Sequence, residues 1–315
     1  MASDNEHPIR IGLLGIGTVG SETARLLIED CEELSARVGR AIELVGVACR
    51  NPDDVDFPWL DHGLLTTDTE ALCRRADIVV ERFGGLAPAR TMVTLAMESG
   101  ASVVTANKAL LATYGPELYR TAAAHGVDLY FEAAVGGAIP IVHPLRESLA
   151  GDRVEWMLGI VNGTTNYILD QMTTEGLDFD VALKQAQEQG YAEAEPTGDI
   201  EGEDAANKAA IMATLAFHTN VVLRDVTAEG ITSITAEDIE AATAEHKVIK
   251  LLAVMENGES GVSARVYPAL IDERHPLASV HGSFNAIFIH ARAAGDLMFY
   301  GRGAGGAPPA SAVVG

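Results

Sequence analysis

Ile9-Arg10-Ile11-Gly12-Leu13-Leu14-Gly15-Ile16-Gly17-Thr18-Val19-Gly20 decides the fold. Its first half is an apolar run that reads as a strand. Its second half is a GxGxxG string that opens the helical pattern of residues 21–28. Glycines so spaced permit a tight turn, close approach of backbone to a pyrophosphate, and close helix–strand packing. The helix start adds unpaired N–H groups and the positive end of its dipole. Gly15, Ile16, Gly17, Thr18, Val19 and Gly20 are therefore candidates for binding a nicotinamide dinucleotide. The alternative is a tight strand–helix turn with no ligand, since a bare GxGxxG is weak evidence.

Context strengthens the signal. Residues 42–49, 78–80, 102–105 and 129–131 read as further strands, and residues 88–98 and 116–124 as helices. Alternating β and α units imply a parallel sheet with helices on both faces. From residue 154 the rhythm changes. A strand over 154–161 precedes helical patterns at 165–172, 181–189 and 203–217, and β-like runs follow at 251–254, 262–267, 286–289 and 297–300. Strands grouped with helices suggest a second, α+β domain. The fold class is thus α/β, a Rossmann-type doubly wound parallel sheet with a second α+β domain. The closing Gly301-to-Gly315 stretch is glycine-rich and then helix-like, and a further helix is expected beyond it.

Composition narrows the function classes. The 315 residues are 48% apolar, enough for a core. No apolar run reaches the ~18–20 residues that span a bilayer. The N-terminal MASDNEH is polar and acidic, unlike a secretory signal. A soluble cytoplasmic protein is expected. Cys31, Cys49 and Cys73 form no CxxC pair, which suits free thiols in a reducing compartment. The histidines show no HxxxH or HExxH spacing; a zinc site at His275, His281 and His290 is disfavoured. Asp and Glu total 45 against 22 Lys and Arg, a net charge of −23. Such a surface repels nucleic acid and anionic lipid. The acidic residues are scattered and lysine is scarce beside arginine, so a salt-adapted, halophilic source is expected: at 1 M salt the screening length falls to about 3 Å.

Dinucleotide sites that prefer NAD usually end the second strand with Asp or Glu, which bonds the ribose 2′-hydroxyl. Here Arg50 stands at that end, and an arginine can pair with the 2′-phosphate of NADP. Asp53 and Asp54 lie close by. NADP is favoured and NAD stays open.

Three later strings carry chemistry. Thr105-Ala106-Asn107-Lys108 follows a predicted parallel strand, at the edge where such sheets bind ligands. Lys108 there can face a cofactor and a carbonyl substrate; a surface lysine is the alternative. Glu132-Ala133-Ala134-Val135-Gly136-Gly137-Ala138-Ile139-Pro140 sets a carboxylate beside two glycines. It offers hard oxygen ligands to a cation such as Na⁺ or K⁺, or a glycine hinge at a domain junction. In the third, Gly190 to Lys208, Asp204 and Lys208 stand i and i+4 on one helix face. By spacing alone that pair is a surface salt bridge. The acidic loop upstream is suited to gripping an ammonium group while the lysine handles a proton.

These strings, with Asn162-Gly163-Thr164-Thr165-Asn166-Tyr167-Ile168-Leu169, resemble the homoserine dehydrogenase family over essentially the whole chain. The resemblance implies interconversion of L-homoserine and L-aspartate 4-semialdehyde with NADP or NAD, in the aspartate-derived route to threonine and methionine. It implies Lys208 as catalytic lysine with Asp204 as its acidic partner, and Lys108 near nicotinamide and substrate. It also implies that Glu193 binds the amino acid, with Asp199 and Asp204 further acidic members of the site, and that Gly84, Gly190 and Gly305 fall near cofactor. Glu132 with the backbone of Val135, Gly137 and Ile139 matches a monovalent cation site. The resemblance also implies a homodimer, a nucleotide-binding domain of residues 1–135 completed by 301–315, and a substrate-binding and dimerisation domain of residues 136–300. No feedback-regulatory domain is expected to follow.

The chain departs from the family's pattern at a few places. Glu195 stands where Asp is usual, Pro309 replaces a threonine, and Arg82 and Phe83 take places of apolar aliphatic residues. Two rival functions remain distinguishable. A dehydrogenase working through a cysteine acyl intermediate needs an activated cysteine near the site strings, and none of the three lies there. A nucleotide-sensing module needs the glycine turn but not Lys108, Asp204 and Lys208 together.

Overall fold

The computed structural model describes residues 7–259 and 261–315; the polar leader falls mainly on residues 1–6, outside the described residues. The chain divides into two compact units. One comprises the described residues up to Ala134 together with Gly305–Gly315, the other Val135–Ala304.

In the first unit β1 (Ile9–Leu14), β2 (Ile42–Ala48), β3 (Leu65–Thr66), β4 (Ile78–Glu81), β5 (Ser102–Thr105) and β6 (Leu129–Tyr130) form a parallel sheet in the order β3-β2-β1-β4-β5-β6. Strand order reverses between β1 and β4, so their carboxyl ends flank the crevice where such sheets bind ligands. The connecting helices are α1 (Thr18–Glu29), α2 (Cys31–Val38), α3 (Thr69–Arg75), α4 (Ala87–Glu98) and α5 (Lys108–His125). Leu13, Val47 and Val80 from three adjacent strands pack with Ala24 and Leu27 of α1. Burying each such side chain stabilises by about 1.5–3 kcal/mol.

In the second unit β7 (Val154–Ile160) leads into α6 (Gly163–Glu175), α7 (Phe179–Glu188), α8 (Thr197–Ile200) and α9 (Glu203–Phe217). Then come β8 (Thr227–Ala228), α10 (Ala236–Ala244), β9 (Lys247–Gly258), β10 (Gly261–Asp272), β11 (Phe284–Ala291) and β12 (Gly295–Arg302). The sheet runs β12-β11-β7-β9-β10-β8 and is antiparallel except where β8 joins β10. Helices α6, α9 and α10 pack against β9. Alternate residues of three strands, among them Ile160, Leu252, Val254 and Phe288, form a second apolar cluster with Leu277 and Val280. Trp156, Leu158, Tyr267, Ala269 and Ile271 on the same set of alternating positions are only partly buried. The chain then re-enters the first unit as α11 (Ala307–Val314), whose Val313 joins the core beside α1.

The structure departs from the sequence expectations at α5, which begins at Lys108 rather than at Pro116. The Asn107 side chain caps it by accepting from Leu110 N–H (3.1 Å), and buried Leu110, Leu111 and Leu118 hold it across the proline. Local capping and burial outweigh the single hydrogen bond that an interior proline removes. The Pro196–Gly198 segment, expected as loop, turns instead into the short α8, which carries Asp199.

Unit two also buries a lysine. Lys250 on β9 is 3% exposed, and its Nζ donates to Asn166 Oδ1 (3.0 Å) and Val280 O (2.7 Å). Asn166 donates in turn to the carbonyls of Val280, Gly282 and Phe284, and Asp170 accepts from Gly282 N–H (2.7 Å) and meets His281 Nδ1 (2.8 Å). This network ties α6 to the segment before β11. Burial holds the Lys250 ammonium down to about 8, partly offset by the charge of Asp170.

A folded-state value below the unfolded one means that the unfolded chain binds more protons between the two, so stability rises with pH there. Wild-type stability relative to Lys250→Met should therefore rise between about pH 8 and pH 10.5, by on the order of 3 kcal/mol. Urea melts of both proteins across that window measure it, and a difference that stays flat contradicts the burial account.

Candidate active site

The glycine-rich turn is shaped by its own backbone. Gly15 has φ +107°, and a Cβ there would lie 2.8 Å from Arg82 O; at Gly20 it would lie 2.2 Å from Gly15 O. At Gly17 it would meet nothing within 4 Å, so this glycine leaves an open side. Gly17 caps α1 without any side-chain hydrogen bond, so the first N–H groups of the helix have no side-chain acceptor, and helix starts of this kind bind anions. Thr18 is exposed and Ile16 and Val19 partly buried. Gly305 (φ +117°) and Gly306 bring the returning chain against this helix start: a Cβ on Gly306 would lie 3.3 Å from Thr18 Cγ2. Arg50 is exposed directly after β2, with Asp53 and Asp54 in the following 3-10 turn.

The neighbouring strand ends form a rigid edge that the sequence did not reveal. Glu81 is fully buried at the end of β4. Its Oε1 accepts from the N–H groups of Phe83 (2.9 Å) and Gly84 (3.2 Å), and its Oε2 from Thr105 Oγ1 (2.6 Å). Thr105 Oγ1 also accepts from Asn107 N–H (3.0 Å), and Asn107 Nδ2 donates to Gly85 O (2.7 Å). Gly84 and Gly85, both left-handed, are thereby locked to the start of α5, where Lys108 is the first residue and partly buried. The available signal was a glutamate closing an otherwise apolar strand.

In the second unit, Asp204 and Lys208 are not a surface pair. Each side chain is 10% exposed, and Lys208 Nζ donates to Asp204 Oδ2 (2.6 Å) and Val161 O (2.6 Å). An ammonium carries three donors, so one N–H remains beyond these two partners. Asn162 joins the group from the other side. Its Nδ2 donates to Asp199 Oδ1 (2.7 Å) and Asp204 Oδ2 (3.0 Å), while its Oδ1 caps α6 by accepting from Thr165 N–H (2.9 Å). Those bonds leave only one orientation of the amide that satisfies both ends. Thr164 Oγ1 bridges Asp199 Oδ2 (3.1 Å) and Tyr191 O (2.7 Å). Three expected residues, Asp199, Asp204 and Lys208, thus meet in one cluster. Asn162, Thr164 and the Val161 carbonyl complete it. Their signal was an Asn three residues ahead of Thr165, the pattern of a helix cap.

Other expected positions lie apart. Glu193 is exposed in the loop after Tyr191, with its carbonyl held by Gln187 Nε2 (3.2 Å). Gly190 (φ +75°) ends α7, in the second unit, and Glu195 is exposed. Glu132 is partly buried in a 3-10 turn of the first unit, while Val135, Gly137 and Ile139 are buried residues of the second. Gly136 (φ +72°) and Gly137 (φ +59°) turn the backbone there, and a Cβ on Gly137 would lie 2.5 Å from Gly303 O. Among the described residues no group of three His, Cys, Asp or Glu is placed to hold a metal. Pro309 is buried in the first turn of α11, where proline is tolerated. Burial pushes the Cys73 thiol up to about 11 and raises Cys49 as well, opposite to the activation a nucleophile needs.

Comparison with known proteins adds an independent line. Residues 15–132 match the family model "Homoserine dehydrogenase, NAD binding domain", and residues 140–315 match "Homoserine dehydrogenase". The chain is 54% identical to the homoserine dehydrogenase of Corynebacterium glutamicum, over 98% of this chain and 70% of that one. Among solved structures, a homoserine dehydrogenase from Thiobacillus denitrificans superposes with a TM-score of 0.93 at 47% identity, covering 98% of this chain and 72% of that one. A hyperthermophilic archaeal homoserine dehydrogenase in complex with NADPH superposes with a TM-score of 0.80 at 26% identity, covering 98% and 95%.

The cluster makes Asn162 a testable keystone. Asn162→Ala removes a helix cap, worth about 0.5–2 kcal/mol, and two hydrogen bonds to carboxylates, each worth about 1.5–3 kcal/mol. Denaturant unfolding should show a loss of at least about 3.5 kcal/mol, the sum of the lower bounds. A loss within about 0.5 kcal/mol, typical of an inert surface change, contradicts the assigned role.

Proposed function

The chain belongs to the homoserine dehydrogenase family, NAD(P)-dependent oxidoreductases that interconvert L-homoserine and L-aspartate 4-semialdehyde, and we propose that Lys208 handles the proton of that reaction. The single observation that carries this is the buried ammonium, fixed by Asp204 and Val161 with one donor left over. When bound, the nicotinamide cofactor supplies the hydride or accepts it. In the reducing direction a C–H bond forms at the aldehyde carbon and the carbonyl electron pair moves onto oxygen. Lys208 Nζ gives that oxygen a proton, directly or through one water, and takes it back in the reverse direction. Its low exposure strengthens its hold on developing negative charge. Asp204 holds the ammonium in its orientation.

The acidic members take the substrate's own ammonium. Asp199, Asp204 and Glu193 are assigned to that role; Asn162 and Thr164 hold Asp199 in place for it. Lys108, at the carboxyl edge of the sheet, is assigned to the nicotinamide and substrate end of the site, with Gly84, Gly190 and Gly305 as cofactor contacts. NADP is the preferred cofactor on the strength of Arg50, exposed where the 2′-phosphate lies in such folds. Comparing initial rates with NADPH and NADH tests that preference.

A monovalent cation, Na⁺ or K⁺, is assigned to Glu132 and the carbonyls of Val135, Gly137 and Ile139. The donor set is one carboxylate with backbone oxygens, which suits a hard cation. The left-handed backbone at Gly136 and Gly137 supports it. Residues Val135–Ala304 are assigned as the substrate and dimerisation domain. The partly buried Trp156, Leu158, Tyr267, Ala269 and Ile271 on one sheet face support a homodimer, which light scattering checks. Among the described residues no helix is long and apolar enough to cross a membrane. We place the protein in the cytoplasm, with no nucleic-acid or membrane partner, and in a salt-rich one on the strength of the −23 net charge.

Lys208→Ala should lower kcat for homoserine oxidation by about 10²–10⁴-fold, while NADPH affinity stays at the wild-type level. Activity retained within a factor of a few assigns the proton to another group.

A further inference from the structure

Arg82 follows the buried Glu81 at the carboxyl end of β4, and its backbone is part of the dinucleotide turn. Its N–H donates to Leu14 O (2.8 Å), and its carbonyl lies 2.8 Å from where a Cβ on Gly15 would stand. Its own Cβ lies 3.9 Å from a Cβ built on Gly20, the last glycine of the motif. The side chain therefore leaves the backbone beside the first turn of α1. There its Nε is buried and has no hydrogen-bond partner among the described residues.

The adjacent carboxylate does not answer that need. Glu81 Oε1 is taken by the N–H groups of Phe83 and Gly84, and Oε2 by Thr105 Oγ1. Burial pulls the Arg82 guanidinium below its ordinary value, with the Glu81 charge opposing. It nonetheless stays a cation at any working pH, because arginine does not lose its proton in proteins. A buried cationic donor without a partner is unfavourable. The turn beside it is built to receive an anion, through the uncapped start of α1 and the open side of Gly17.

We infer that Arg82 is an anion clamp for the cofactor, its guanidinium engaging the pyrophosphate of the dinucleotide beside the glycine-rich turn. Turns of this kind otherwise hold the pyrophosphate with backbone N–H groups and a helix end. A guanidinium adds a forked, charge-assisted donor to them. The inference rests on dinucleotide binding at this turn. It places Arg82 in a different role from Arg50, which stands at the end of β2, one strand over. Pyrophosphate is common to NAD and NADP, so Arg82 acts on both cofactors equally.

Calorimetric titration of ADP-ribose, NADH and NADPH into the wild type, Arg82→Leu and Arg82→Lys tests this. Arg82→Leu should weaken all three ligands alike, by about tenfold, or about 1.4 kcal/mol. Arg82→Lys should fall between the two, keeping the charge without the fork. The unliganded Leu variant should melt no lower than the wild type, since a buried donor without a partner has been removed. Affinities within about twofold of wild type, a loss confined to NADPH, or a Leu variant that fails to fold would each overturn the clamp. A wild type that binds none of the three ligands overturns the dinucleotide site itself, and the clamp with it.

Discussion

An ammonium with only a tenth of its side chain exposed has to be met by charge and by hydrogen-bond acceptors, or it costs several kcal/mol. Lys208 is met by Asp204 one helical turn earlier and by Val161 O, just past the end of β7. Asp204 in turn needs a donor, and Asn162 supplies it while capping the helix that follows β7. One amide thereby couples the exit of a strand, the start of α6 and the first turn of α9. The positions of Asp199 on α8 and of Thr164 follow from the same set of bonds. A lysine so held has fixed geometry and a spare donor, which a proton-transfer group requires.

The first unit solves a different problem with the same economy of parts. Its cofactor turn is made of backbone, so the surrounding side chains only have to hold that backbone still. Glu81, Thr105 and Asn107 do so at two adjacent strand ends, with every oxygen of the buried carboxylate engaged. The chain's 45 Asp and Glu residues are spread along its length, and the few that enter the two clusters are neutralised or hydrogen-bonded locally.

Much of this was legible in the residues. The GxGxxG after an apolar run located β1 and α1, and strand spacing located most of the parallel sheet. Asp204 and Lys208 were recognisable as sharing a face, but spacing alone favoured an exposed ion pair. Exposure is a tertiary quantity, set here by α6 and the end of β7, which lie some forty residues away in sequence. Asn162 could be read as a helix cap and as part of a family string, but its carboxylate partners are brought near only by folding. The start of α5 was misjudged since a proline is a strong local signal, and Asn107 with three buried leucines is a stronger one. Glu81 could be noticed but not interpreted: a charge at a strand end means nothing until its donors are in place.

The central claim is that Lys208, held as it is, meets the oxygen that gains and loses the proton. A crystal structure with NADP and homoserine bound measures this directly. Lys208 Nζ should lie within about 2.6–3.2 Å of the homoserine hydroxyl oxygen, or reach it through one water, with its bonds to Asp204 and Val161 kept. A bound homoserine whose hydroxyl faces another acid or base, with Lys208 still turned wholly toward its protein partners, would contradict the account.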